Sequence, residues 1–136
     1  ITSKFMEVKD MLELTINDKV YEFHFGFGFL KEINKRVVMP LEGAKDVKKN
    51  VGLQFAVASV IDGDVEQLAD VLDAANKGCV PRVTRKDLEQ YIESTDDIDA
   101  LFKSVLDFLK TSNCCKKVTL EFLALVEAKR TEDPER

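Results

Sequence analysis

At 136 residues and 45% hydrophobic content, the chain fits one domain with a real core. Its net charge of -5, from 25 acidic and 20 basic residues, speaks against a dedicated DNA or RNA binder, which would present a basic stripe to phosphates. No apolar run approaches the roughly 20 residues needed to span a bilayer, so the chain reads as a soluble protein with no membrane partner.

Residues 1–10 show no apolar signal core and are read as vector-derived or disordered, with the single domain running over 11–130 and a polar tail over 131–136. Met11 to Thr15 and Val20 to Phe25 alternate as two strands around Asn17-Asp18-Lys19, a set that suits a tight turn. Leu12, Leu14 and Ile16 share one face of the first strand; Tyr21, Phe23 and Phe25 share one face of the second. The period then changes from two to about 3.6 within Phe25-Gly26-Phe27-Gly28-Phe29, predicting a structural corner where a strand passes directly into a helix over Phe27 to Val38. Phe29, Leu30, Ile33 and Val37 form its apolar stripe, and glycine at 26 and 28 would tolerate the angles or close contacts of such a corner. A two-stranded hairpin is marginal by itself, so its apolar face must rest on helices.

Pro40 and Gly43 break the helical pattern, and Glu42 to Asn50 reads as a charged, mobile connection. Val51 to Ile61 is assigned to a helix because Ala56, Ala58 and Ser59 dilute its strand character. Asp64 caps the next helix, with Val65, Leu68, Ala69, Leu72 and Ala75 on its buried face and Gly78 at its end. Thr84 caps a short helix with Leu88, Tyr91 and Ile92 inward, and Asp96 or Asp97 opens another. That helix carries a wide stripe, from Ile98 through Phe102 to Leu109, able to touch two neighbours. The last helix, Lys117 to Lys129, places Val118, Phe122, Leu125 and Val126 on one face and Leu120 and Leu123 off it. The predicted fold is α+β and predominantly α: an N-terminal β-hairpin packed on about five or six helices.

Chemical motifs are weak throughout. Lys31 replaces the third glycine of a dinucleotide-binding turn at Gly26 and Gly28, and bulky phenylalanines crowd the pair. Gln67 occupies the glycine position of a calcium loop in the acidic run from Asp62 to Asp73. Cys79, Cys114 and Cys115 form no CxxC pair, which points to free thiols in a reducing compartment. The single histidine, His24, lies opposite the aromatic face and reads as a surface residue. Catalytic, cofactor-binding and metal-binding residues are therefore assigned to none, which favours a binding role.

In order along the chain stand Leu12-Glu13-Leu14-Thr15-Ile16-Asn17, the corner Phe23 to Ile33, Gly52-Leu53-Gln54-Phe55-Ala56-Val57-Ala58-Ser59, and Gly63-Asp64-Val65 to Leu72 with Ala74 and Ala75. Pro81-Arg82-Val83-Thr84 and Asp97 to Lys110 complete the series. In this order and spacing the chain resembles the tail assembly chaperones of long-tailed phages and prophages of Gram-positive hosts. The resemblance implies a non-catalytic protein of the host bacterial cytoplasm, absent from the mature virion, that binds the tape measure protein, keeps it soluble and promotes tail tube assembly. It also leaves room for self-association, and for contact with the tail tube protein through a frameshifted extension. A tail completion or connector protein retained in the virion is the alternative. Leu120 and Leu123 are the candidate partner-binding residues, since one helix face cannot bury them together with Phe122 and Val126.

Overall fold

The computed structural model describes residues 11–36, 38–40 and 48–132. Strands β1 (Met11–Ile16) and β2 (Lys19–His24) pair antiparallel, with Ile16 opposite Lys19 across the two-residue loop Asn17-Asp18. Both loop residues take positive φ, 54° and 67°, a conformation that asparagine and aspartate tolerate and whose twist matches that of the strands. Lys19 thus opens β2 instead of completing the turn. Period-two alternation then buries Tyr21, Phe23 and Phe25 and leaves Val20 and His24 outside.

Helix α1 (Phe27–Asn34) starts directly after the strand, with Gly26 as its N-cap. The corner exists, but not for the reason the glycines suggest. Gly26 has φ -100°, and a Cβ built on Gly26 or Gly28 meets nothing within 4 Å. Phe25 and Phe29 enter the core with ring centroids 5.1 Å apart, whereas Phe27 points outward and is 69% exposed.

Helix α1 ends at Asn34, short of the predicted Val38. The chain instead forms a ribbon of β3 (Val38–Pro40) and β4 (Lys48–Asn50), antiparallel with Val38 opposite Asn50. Pro40 biases the residue before it away from helix, which favours the extended path. The charged connection therefore ends in a strand; Val37 and the 41–47 part of that connection lie outside the described residues.

Helix α2 (Gly52–Ile61) is held against α1 at its first turn. The Asn34 carboxamide oxygen accepts a hydrogen bond from the Leu53 N–H at 2.9 Å, a helix cap supplied by a different helix. A Cβ on Gly52 would stand 1.9 Å from the Ile33 carbonyl oxygen, so only glycine admits this approach.

Helix α3 (Val65–Asn76) is the centre of the fold and packs on β2, α1, α2 and on α4 (Arg85–Ser94). Its cap is the Asp64 carboxylate, which accepts from the Gln67 N–H at 3.1 Å; Thr84 Oγ1 does the same for the Asp87 N–H of α4, also at 3.1 Å. Leu68, Ala69, Leu72 and Ala75 are buried as predicted, joined by Val71 and Ala74. Val65 is not: 48% of it is exposed. Asp97, not Asp96, caps α5 (Ile98–Thr111) through the Ala100 N–H at 3.0 Å. The wide stripe of α5 meets α2, β1 and the final helix, α6 (Lys116–Glu132). Six helices and the hairpin make up the described α+β domain, with the short ribbon as an addition to the predicted plan.

Candidate functional site

Burial along α6 changes over its length. Cys115, Thr119, Phe122 and Val126 recur at three- and four-residue spacing, which sets them on one helical stripe. Cys115 and Thr119 are buried, Phe122 is half-buried against the core, and Val126 is 37% exposed. The inward stripe therefore outlasts the body it packs on. Leu125, predicted to face inward, is 64% exposed, and Val126 shares in that correction. Of the two residues singled out from sequence, Leu120 is 49% exposed and Leu123 is half-buried. Helix α6 thus offers Leu120, in its second turn, and Leu125 and Val126, in its second half, to solvent, with Leu123 between them in sequence. The sequence missed the exposure of Leu125 and Val126 because spacing assigns a residue to a face and does not say where the neighbouring helix stops.

The other end of α6 is tied down firmly. Ser112 Oγ donates to the Phe25 carbonyl, Cys115 Sγ donates to the same oxygen at 3.9 Å, and the Phe25 ring stacks on Phe108 at 5.7 Å. Thr119 Oγ1 returns to the Cys115 carbonyl at 2.9 Å. Burial pushes the Cys115 thiol up to about 11, although the Ser112 hydroxyl beside it acts the other way. Such a thiol is protonated and inert at neutral pH.

His24, set apart in sequence from Cys114, lines a cavity of about 300 Å³ with it, together with Gly26 and Phe108. The imidazole Nε2 lies 3.2 Å from Glu22 Oε1 on the surface. Among the described residues, no group of three or more His, Cys, Asp or Glu side chains is placed to hold a metal ion. Cys79, Cys114 and Cys115 are all free thiols.

The basic residues Arg82 and Arg85 join a network with acids of α3. Arg36 reaches Asp70 at 3.5 Å and Asp73 at 3.2 Å, Arg82 reaches Asp73 at 3.2 Å, and Arg85 reaches Asp70 at 2.8 Å and Glu89 at 2.9 Å. Asp70 and Asp73 are therefore partners of arginines, not a free acidic face. No described helix is long and apolar enough to cross a membrane.

Residues 13–123 match the model of a family described as phage tail assembly chaperone protein, TAC. The match runs from β1 into α6 and ends at Leu123, so it includes Leu120 and Leu123 and stops before Leu125. No curated protein and no solved structure matches the chain.

Proposed function

The chain belongs to the phage tail assembly chaperone family, and we propose that within tail assembly its client is the tape measure protein, which it binds and keeps soluble without catalysing a reaction. The observation that carries this reading is the exposure of Leu120, Leu125 and Val126 along α6. An isolated apolar residue on a surface needs no explanation, but three along one helix, in a chain of net charge -5, suit reversible coverage of an apolar client. The net charge keeps such a protein dispersed while its apolar contacts remain available. The work is done in the host cytoplasm, and the protein leaves before the particle is finished.

Co-expression with the tape measure protein of the same genome, followed by size-exclusion chromatography with light scattering, tests the proposal. A soluble complex of fixed stoichiometry, with the client insoluble when expressed alone, is the expected result. An insoluble client beside a free chaperone peak overturns it. The double variant Leu120→Ser with Leu123→Ser should stay folded and bind the whole client more weakly; unchanged binding removes α6 as a contact. Mass spectrometry of purified particles should find no copies of the chain, and stoichiometric copies would favour a connector retained in the virion.

A further inference from the structure

Val65, exposed at the first turn of α3, is shared by two surface grooves. One, of about 430 Å³, runs between α3 and α4 with Val65, Ala69 and Ile92 among its lining. The other, of about 440 Å³, runs between the start of α3 and α5, where Ile61, Phe102 and Leu106 supply its apolar wall. The two grooves meet at Val65, apolar on the α5 side and bordered by charged residues on the α4 side, and neither is lined by a residue of α6; they are called the Val65 track.

The charge along this track has one dominant sign. Glu66 and Glu93 border the first groove, and its one basic lining residue, Arg85, is already held by Asp70 at 2.8 Å and Glu89 at 2.9 Å. Asp70, held also by Arg36 at 3.5 Å, and Glu89 are thus answered by arginines, and Glu66 and Glu93 set the negative sign of the rim. In the second groove Lys103 is held by Asp107 at 3.3 Å, and Asp99 adds a further acid to its border. We propose that this track docks an amphipathic helical segment of the client whose apolar stripe is flanked by lysine or arginine. The inference rests on the client-binding reading and names a second contact for it.

Charge decides among occupants. A nucleic acid or an acidic peptide would bring like charge to the Glu66 and Glu93 rim. A second copy of this chain is itself acidic, and the arginines Arg36, Arg82 and Arg85 that could answer the rim are committed to Asp70, Asp73 and Glu89. A cationic helix satisfies both features: its apolar residues cover the Val65 track, and its basic residues replace water at the rim.

Overlapping 30-residue peptides of the tape measure protein from the same genome, titrated against the whole chain at low salt, provide the test. Glu93→Lys is the main variant, because a cation in the last turn of α4 suits the helix dipole and leaves the fold intact. Val65→Ser is the second, at a site already half in water. Bound peptides are expected to be net basic, to lose at least tenfold in affinity with either variant, and to weaken as salt rises. The Leu120→Ser, Leu123→Ser variant should bind them as wild type does. If the wild-type chain retains the whole tape measure protein while no peptide binds, while acidic peptides bind equally, or while both variants behave as wild type, this inference falls and the client-binding reading stands. If the whole tape measure protein is not retained either, both fall. A self-associated form that Val65→Ser dissociates would assign the track to a second copy and overturn the inference.

Discussion

Asn76 is fully buried at the last residue of α3, and its carboxamide is used on both sides. Nδ2 donates to the Glu22 carbonyl at 2.9 Å and the Pro81 carbonyl at 3.4 Å, while Oδ1 accepts from the Val83 N–H at 2.8 Å and from Arg82 Nη1 at 3.1 Å. Asn76→Ala strands a buried carbonyl and a buried amide, at a cost of about 2–4 kcal/mol in urea denaturation. Glycines separate in the same way by what surrounds them. Gly52→Ala drives a Cβ into the Ile33 carbonyl and should cost at least about 2 kcal/mol, whereas Gly28→Ala, in open space inside α1, should raise stability by up to about 1 kcal/mol. The Cys115 thiol gives a pH signature. Its folded value of about 11 lies above the ordinary 9.0, so its stabilising contribution is complete below about pH 9 and is lost as pH rises through about 11. Urea midpoints between pH 8 and 11 should fall accordingly, and less in Cys115→Ala.

At the scale of elements, local rules transferred well and tertiary ones did not. Asp64, Thr84 and Asp97 cap their helices as spacing predicts, because a cap needs only an amide three residues ahead. The aromatic strand face was equally legible, since alternation places Tyr21, Phe23 and Phe25 on one side whatever packs there. The β3–β4 ribbon escaped notice because two strands of three residues leave too short a record for any period. Val65, Leu125 and Val126 all satisfy a helical stripe and all lie exposed, because exposure depends on where a neighbour ends. Of the proposed contact surface, Leu120 and Leu123 came from spacing; the track around Val65 came from the fold. Along α6, Phe122 is half-buried against the core and Leu125 is 64% exposed. Phe122→Ala should cost on the order of 2 kcal/mol, and Leu125→Ser should stay within about 0.5 kcal/mol of wild type by thermal unfolding.

For the whole molecule, some ion pairs link elements that are far apart in sequence. Glu32 of α1 meets Lys77, beyond α3, at 3.4 Å and Arg36 at 3.7 Å. Burial acts to raise the Glu32 carboxyl, but Lys77 and Lys35 outweigh it and hold the carboxyl below its ordinary 4.5. A carboxylate with a depressed value contributes stability above about pH 4.5 and loses it as pH falls further. Urea midpoints from pH 7 to pH 3 should drop, and Glu32→Gln should flatten the acid limb of that profile.

The bonds of Asn76 also couple parts of the molecule in time. A Val83 amide proton can exchange with solvent only when Asn76 releases it, and the same side chain holds the hairpin through the Glu22 carbonyl. Deuterium uptake at Val83 therefore reports how often this buried segment leaves the Asn76 carboxamide, a side chain that also holds the hairpin some sixty residues away along the chain.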